Sequence, residues 1–284
     1  MEKLIKSPMN YVGGKYKLLP QIIPLFPDEI NTFVDLFCGG LSVSMNVKAN
    51  KIIANDYNKF IIEIFEAFKN NSIDTIISHI ESRISEYKLS KTNAEGFNSF
   101  REYYNSNQNP LDLYTLVCYS FNYQFRFNNS LKYNNPFGKN RSQFSNALKI
   151  KLIKFIEEYQ NKNIELRCED FNKFRNLELG NDDFVYCDPP YLITTGSYND
   201  GNRGFKNWEE EEEKELLDYL NYLDSKKIKF ALSNVLEHKG LENDILKKWA
   251  KNYKINYLNY NYDNCNYQNN NKKNKTIEVL ITNY

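Results

Sequence analysis

Short apolar runs alternate with amphipathic stretches along the chain. The runs at 32–37, 51–55 and 184–187 are rich in Val, Ile and Phe, which is typical of buried strands. Residues 59–69 and 73–89 place apolar side chains three and four positions apart, the spacing of a helix face. This alternation predicts an α/β fold.

The segment TFVDLFCGG, residues 32–40, begins the clearest unit. A helix is predicted in LSVSMNV (41–47), and a second strand in 51–55 ends just before Asp56, which completes a βαβ pattern. Glycines after a strand let a ligand approach the backbone, and an acid after the next strand is placed to bind both ribose hydroxyls. Because G-x-G-x-x-G is absent, a nucleoside without a pyrophosphate fits better than NAD.

Helical spacing dominates from about residue 72 to 162, with one interruption at 125–144, FRFNNSLKYNNPFGKNRSQF. Its alternation of aromatic and polar residues predicts a hairpin or an extended loop. Strand and helix patterns then resume, and two final runs, 254–262 and 276–284, are predicted to be antiparallel neighbours. We therefore predict one domain formed by 1–71 and 163–284, with 72–162 inserted as a second, mostly helical domain.

Charge is uneven although the formal net charge is only +1. Residues 121–154 contain seven bases and no acid, interleaved with Phe, Tyr and Asn. This composition fits a surface that contacts a phosphate backbone, and the alternative is a solvated helix face. The seven bases are Arg126, Lys132, Lys139, Arg141, Lys149, Lys151 and Lys154.

The five cysteines are scattered and lack CxxC spacing, so we expect small core residues and neither disulfides nor zinc. No apolar run approaches the ~18 residues that span a bilayer, and the first residues lack the apolar core of a signal peptide. A cytoplasmic protein is expected.

The segment FVYCDPPY, residues 184–191, carries the clearest chemistry. The exocyclic amine of a nucleobase is a poor nucleophile because its lone pair is delocalised into the ring. Asp188 can accept one amine proton, and Pro189 and Pro190 can hold a backbone carbonyl rigidly beside it to accept the other. Tyr191 offers a ring for base stacking, so the motif suits attack by an amine on an electrophilic methyl group. The alternative is a Pro-Pro turn that Asp188 caps.

Three motifs in this order resemble one family: YVGGKYKLLP (11–20), FVDLFCGG (33–40) and DPPY (188–191). They look like the Dam-type, alpha-group DNA adenine N6-methyltransferases, which use S-adenosylmethionine, and the resemblance continues to the final IEVLITNY. It implies a Rossmann-like methyltransferase sheet with an inserted target-recognition domain that bears a β-hairpin.

The resemblance also implies a cofactor site. Tyr11, where many members have Trp, and Lys15 would border the methionine end, Asp56 would bind the ribose, and Asp170 with Phe171 would lie at the adenine. The alternative for Lys15 is an exposed turn lysine, and the alternative for Asp170 is a helix cap. The residues expected to bind the cofactor are Tyr11, Lys15, Asp35, Phe37, Gly39, Gly40, Asp56, Asp170, Phe171 and Asp188.

DNA contacts follow from the same resemblance. Arg126 would contact a base, Asn122 suits adenine or a displaced partner base, and Phe121 would stack into the gap left by a flipped base. Tyr123-Gln124 replaces the smaller, glycine-containing pair of GATC-methylating members, so the target sequence is not predicted. The residues expected at DNA are Phe121, Asn122, Arg126, Lys132, Pro136, Lys139 and Arg141.

The predicted function is methyl transfer from S-adenosylmethionine to N6 of a flipped adenine in duplex DNA, for restriction-modification or phage protection. We expect a monomer that needs no metal, acts separately from any cognate endonuclease, and associates with the nucleoid through DNA. The alternatives are an RNA adenine or protein glutamine methyltransferase, a catalytically idle nucleic-acid-binding module on the same fold, and an NAD enzyme.

Overall fold

The computed structural model describes residues 4–194, 208–259 and 276–284. Its strands are β1 Thr32–Asp35, β2 Lys51–Asn55, β3 Ile164–Arg167, β4 Phe184–Cys187, β5 Lys229–His238, β6 Leu241–Glu242, β7 Lys254–Leu258 and β8 Thr276–Thr282. Its helices are α1 Leu19–Ile22, α2 Lys59–Asn70, α3 Ile73–Glu86, α4 Ala94–Asn107, α5 Pro110–Tyr119, α6 Asn146–Gln160, α7 Glu210–Ser225 and α8 Asp244–Trp249.

One mixed sheet organises the molecule in the order β3-β2-β1-β4-β5-β8-β7, and β6 pairs with the end of β5. The strands from β3 to β5 are parallel, as the βαβ pattern predicts. β8 runs antiparallel to both β5 and β7, which confirms the prediction that the last two runs are antiparallel neighbours. The predicted continuation of β7 over 260–262 lies outside the described residues.

The central strands are apolar because both sheet faces are covered. All four residues of β4 are buried, and one apolar cluster lies on each face. β2, β1 and β4 are parallel neighbours, so their carboxyl ends meet at one edge of the sheet. This edge is where ligands bind in open α/β sheets.

The connection from β1 to β2 differs from the prediction. Residues 41–47 form a series of turns instead of a regular helix. Leu41 has a left-handed backbone with φ of 57°, which interrupts helical geometry before it can propagate. Ser44 also turns its hydroxyl to Asp35 at 2.6 Å. Residues 41–47 therefore bind the end of β1 through Ser44 and do not continue as a regular helix.

The predicted helices of the 72–162 segment are present, and polar residues cap them. Ser72, Asn93, Asn109 and Ser145 each accept a backbone N–H from the first turn of the helix that follows. The helices share an apolar cluster with one face of the sheet. The division into two domains at 71/72 and 162/163 stays a prediction.

An extended loop interrupts these helices between α5 and α6. Two isolated antiparallel bridges, Ser120 with Phe137 and Phe127 with Tyr133, give it a hairpin-like form. The Asn128 N–H donates to Lys132 O at 2.9 Å, which closes the tip. The loop thus matches the predicted hairpin or extended loop without forming regular strands.

The cysteine prediction is partly wrong. Cys38, Cys118 and Cys187 are buried and unbridged, as expected of core residues, whereas Cys168 is exposed. Cys168 follows β3, which is an edge strand of the sheet formed by the described residues. Cys265 lies outside the described residues. None of the helices described is both long and apolar enough to cross a membrane.

Candidate active site

Three carboxylates lie at the edge where the parallel strands end. Asp35 is the last residue of β1, Asp56 follows β2, and Asp188 follows β4. Asp56 and Asp188 were predicted because each follows an apolar run, whereas Asp35 was expected only from the family resemblance. The parallel pairing places the three on neighbouring strands. A concentration of negative charge beside a sheet edge suits cationic or hydrogen-bond-donating ligands.

Asp188 is held by two side chains. Lys15 Nζ lies 2.9 Å from Asp188 Oδ1, and the Tyr191 hydroxyl donates to the same oxygen at 3.0 Å. Lys15 is only 5% exposed, so it is not the exposed turn lysine that was the alternative. A capping aspartate would accept backbone N–H groups, whereas these contacts come from side chains. Both contacts fall on Oδ1.

A fourth carboxylate, Glu278 on β8, was not predicted. Its Oε1 lies 3.2 Å from the Tyr191 hydroxyl and 3.7 Å from Lys15 Nζ. Lys15 also donates to Gly13 O at 2.9 Å and lies 5.0 Å from the centre of the Tyr191 ring. The sequence signal was a lone acid in the apolar run TIEVLIT, but no local pattern connects it with residue 188.

Burial governs the electrostatics of this group. It raises the pKa of Asp188 above its ordinary value, while Lys15 and the Tyr191 hydroxyl act in the opposite direction. Burial likewise raises the pKa of Glu278, and the neighbouring lysine opposes it. The lysine therefore opposes the effect of burial, which favours the protonated forms of both carboxylates.

The turn after β1 is fixed from two sides. The Gly39 N–H donates to Asp56 Oδ2 at 2.8 Å, and the Asn58 N–H donates to Asp56 Oδ1 at 2.9 Å. Gly39 has a φ of +45°, and a Cβ there would lie 2.8 Å from the Tyr11 ring. Only glycine fits beneath Tyr11 in this conformation. Gly40 lies under the same tyrosine and beside Ser7.

Asp35 is the most buried of the acids. Ser44 donates to Oδ2, and Oδ1 has no partner among the described residues. Burial, with a smaller contribution from the charges of Asp188 and Asp56, raises the pKa of Asp35 to about 7 against the lowering effect of Ser44. The pKa of Asp56 rises to about 6, again through burial, although the two amides that it accepts lower it.

An aromatic group borders this edge. The Phe37 ring lies 5.7 Å from Phe171 and 5.5 Å from Trp208, centre to centre. Trp208 was not predicted. Asp170 accepts the Asn172 N–H at 3.0 Å, so the capping alternative for Asp170 is confirmed. The three rings can enclose a flat, apolar part of a ligand.

The two prolines differ in exposure, and a turn follows Tyr191. Pro189 is buried and Pro190 is exposed. The Thr194 N–H and hydroxyl both bond to Tyr191 O, at 2.9 and 3.2 Å. Among the described residues, no group of three or more His, Cys, Asp or Glu side chains is arranged to hold a metal.

The N-terminal segment joins this edge to the extended loop. The Asn10 side chain donates to Asn122 O at 3.0 Å, and the Tyr11 ring lies 6.1 Å from Phe125. Asn122 and Tyr123 both have left-handed backbones, with φ of 53° and 55°. Neither residue is a glycine, so the local sequence does not predict this conformation. Phe121, at the loop entrance, is 40% exposed.

Two asparagine amides, of half-buried Asn105 and buried Asn135, bind the backbone of the loop. Asn105 binds the backbone of Tyr133 through both its oxygen and its nitrogen, at 2.8 and 3.0 Å. Asn135, almost fully buried, donates to Phe121 O and Gln124 O. The Phe121 N–H donates to the carbonyl of the exposed Pro136 at 2.7 Å. These bonds fix the main chain and leave the basic side chains at the surface.

The seven bases are divided between two elements, the extended loop and α6. Lys132, Lys139 and Arg141 are exposed on the loop, where Arg126 is half-buried. Lys149 and Lys151 lie on α6 instead. Lys149 pairs with Glu81 of α3, while burial and the charge of Lys6 lower the pKa of Lys151 to about 8. Lys154 is exposed on the same helix.

Comparison with known proteins identifies the family. The D12 class N6 adenine-specific DNA methyltransferases match residues 11–264. The chain is 60% identical over 280 residues to the type II methyltransferase M.FokI of Planomicrobium okeanokoites, covering 99% of this chain and 43% of that protein. It is 53% identical over 285 residues to the modification methylase StsI of Streptococcus sanguinis, covering 100% and 43%.

A third relative is the modification methylase LlaI of Lactococcus lactis subsp. lactis, which is 39% identical over 281 residues, 98% of this chain and 43% of that protein. The chain therefore spans less than half the length of these three relatives. The match to the family nevertheless covers the glycine turn, the loop and the Asp188 motif together. The chain belongs to the D12 class of N6 adenine-specific DNA methyltransferases.

Proposed function

We propose that this chain transfers a methyl group from S-adenosylmethionine to N6 of an adenine flipped out of duplex DNA. The observation that carries the proposal is the arrangement at Asp188. Lys15 and Tyr191 both contact Oδ1, so Oδ2 is the oxygen to which a substrate amine can donate. Membership of the adenine methyltransferase family supports the same chemistry.

The chain's own residues would activate the amine. One N–H of N6 donates to Asp188 Oδ2 and the other to a backbone carbonyl of the Pro189-Pro190 turn, which frees the nitrogen lone pair for attack. Positive charge develops on that nitrogen during the transfer, and the Asp188 carboxylate stabilises it. Lys15 and Tyr191 hold the carboxylate in one orientation, and both favour its ionised form against the effect of burial.

The residues near the strand ends fit the cofactor. S-adenosylmethionine supplies, when bound, an electrophilic methyl group on a sulfonium. The partnerless Asp35 Oδ1 suits an amino group, and Asp56 retains lone pairs for ribose hydroxyls beside its two amide bonds. The Phe37, Phe171 and Trp208 rings suit the adenine. Tyr11, Lys15, Gly39 and Gly40 border the same edge, and Asp170 orients the turn that carries Phe171.

The extended loop would contact DNA. Its exposed bases suit phosphates, half-buried Arg126 suits a guanine edge, and exposed Phe121 and Asn122 suit the space left by a flipped base. Arg141 lies over the Phe121 ring at 5.9 Å, which joins a charged and a stacking group in one surface. We propose that residues 72–162 form the recognition domain. The protein would act in the cytoplasm on nucleoid DNA, as a monomer and separately from any cognate endonuclease. Its role would be in restriction-modification or phage protection.

Mapping of N6-methyladenine tests this function directly. The chain is expressed in a host whose genome lacks adenine methylation, and the Asp188→Ala variant serves as the control. We expect methylated adenine at one recurring short sequence with the native chain, and none with the variant. Unmodified DNA from the native chain would refute the proposal, and methylated adenine found in RNA instead would support the RNA alternative.

A further inference from the structure

Glu278 is a buried acid whose position in an apolar strand needs an explanation. It is the third residue of β8, between Ile277 and Val279, and its side chain is only 7% exposed. β8 pairs with β5, and β5 in turn pairs with β4, the strand that Asp188 follows. Removing a carboxylate from water is costly unless its contacts compensate for the lost hydration.

The contacts of Glu278 lead to the reaction centre. Its Oε1 lies 3.2 Å from the Tyr191 hydroxyl, which also lies 3.0 Å from Asp188 Oδ1. A hydroxyl has one proton, so Tyr191 divides it between two acids and is held on both sides. Lys15 Nζ, at 3.7 Å from Glu278, adds a weaker attraction in the same direction.

We propose that Glu278 is a positioning residue: it anchors the Tyr191 hydroxyl and thereby fixes the ring of Tyr191 and the orientation of the Asp188 carboxylate. The inference rests on the proposed function. Without this anchor the Tyr191 hydroxyl has one acceptor instead of two, and only the bond to Asp188 and packing hold the ring in place. Asp188 Oδ1 then loses a fixed donor, and Oδ2 is less well aimed at a substrate amine.

The test is a double-mutant cycle on single-turnover methyl transfer at saturating DNA and cofactor. Glu278→Ala and Tyr191→Phe each remove one end of the hydrogen bond. We expect each to slow transfer by about 10- to 100-fold, since small misplacements of reacting groups have effects of this size. If Glu278 acts through Tyr191, the double variant should be no more than about threefold slower than the slower single variant.

A conservative variant separates positioning from general damage. The amide oxygen of Glu278→Gln can still accept from Tyr191, so this variant should transfer methyl at least about tenfold faster than Glu278→Ala. Calorimetric binding of S-adenosylmethionine should be the same for all variants, which also shows that they are folded. Glu237→Gln is the matched control, because Glu237 is an acid on neighbouring β5 whose side chain pairs with Lys247 at 2.7 Å instead of with Tyr191.

The outcomes separate this inference from the proposed function. If the native chain methylates DNA and Glu278→Ala does so equally fast, Glu278 has no positioning role. The link through Tyr191 would also be overturned if the double variant were slowed by the product of the two single effects. The same holds if Glu278→Gln transferred methyl as slowly as Glu278→Ala. If the native chain transfers no methyl group to DNA, the proposed function is overturned and this inference with it.

Discussion

Charged side chains are largely buried at the edge where the parallel strands end, whereas they are mostly exposed on the extended loop. At the edge, Asp188, Glu278 and Lys15 are largely buried, and Lys15 lies within 4 Å of both carboxylates. Around the loop, the side chains of Lys132 and Lys139 are exposed, whereas the half-buried Asn105 of α4 and the buried Asn135 bind the loop backbone through their amides. One region fixes side chains, whereas the other fixes the main chain.

The difference indicates how each region tolerates change. A buried group that depends on several partners fails when one partner is removed, because the others are left unpaired in a low dielectric. An exposed base on a fixed backbone can be exchanged with little effect on its neighbours. We therefore expect large, chemistry-specific losses at the sheet edge and small, graded losses on the loop.

The largest effect is expected for Asp188→Asn. The amide oxygen can still accept one proton from the amine, but the negative charge that stabilises the developing cation is lost. Single-turnover methyl transfer should fall on the order of 10²-fold or more, while cofactor binding changes little. Quench-flow with labelled cofactor measures the rate, and a rate near that of the native chain would leave Asp188 as part of a turn.

The second effect concerns the cofactor. Asp56→Ala should weaken S-adenosylmethionine binding by ~1.5–3 kcal/mol per lost charge-assisted hydrogen bond, which calorimetry measures. Asp183→Ala is a matched control, because Asp183 also accepts two backbone N–H groups, from Thr32 at 2.8 Å and Gly180 at 2.7 Å.

Asp183 precedes β4, so it lies at the opposite end of the sheet from Asp56. Both variants should lower the unfolding midpoint, because each leaves two backbone amides without their acceptor. Only Asp56→Ala should weaken the binding of S-adenosylmethionine. Equal weakening by the two would mean that Asp56 acts through stability alone.

How far the sequence predicted each region depended on the distance between the interacting residues. Asp56 and Asp188 each follow their own apolar run, so local pattern placed them at strand ends, whereas Asp35 lies inside the predicted run 32–37 and was expected only from the family resemblance. Glu278 and Trp208 escaped prediction because their contacts depend on the register of β8 and on packing between distant segments. Lys15 was expected near the cofactor, but its pairing with Asp188 joins residues 173 positions apart.

The loop was predicted as irregular for the right reason, its alternating aromatic and polar residues. Its exact backbone was not predictable, because Asn122 and Tyr123 are left-handed without a glycine. The run of seven bases also contains bases that pair within the protein. The local sequence does not predict such pairs, because Lys149 and Glu81 lie on different helices. Charge counted along a chain predicts a surface only after the fold has assigned each residue to a face.

A smaller effect is expected for the pH dependence of stability. The folded pKa of Asp35 is about 7, above the 3.8 of the unfolded chain, so Asp35 favours folding below pH 3.8 and this stabilisation is lost as pH rises to about 7. Asp35→Asn should therefore be more stable than the native apo-protein at pH 8, by about 1–3 kcal/mol, with less difference at pH 4. Urea unfolding at both values measures this, and an unstable variant at pH 8 would contradict the assignment of burial as the main cause.

The smallest effect tests the division within the basic run. Lys132→Gln and Lys139→Gln change exposed bases of the loop, whereas Lys149→Gln changes a base that already pairs with Glu81 of α3. If the loop contacts phosphates, the slope of log affinity for duplex DNA against log salt should become shallower by about one unit for each loop variant. Lys149→Gln should leave the slope within error of the native value, since its charge is compensated within the protein.

Fluorescence anisotropy between about 50 and 200 mM salt gives the slopes. Equal slopes for all three variants and the native chain would remove the loop from the DNA surface, while an equal change in all three would restore the whole run as one basic face.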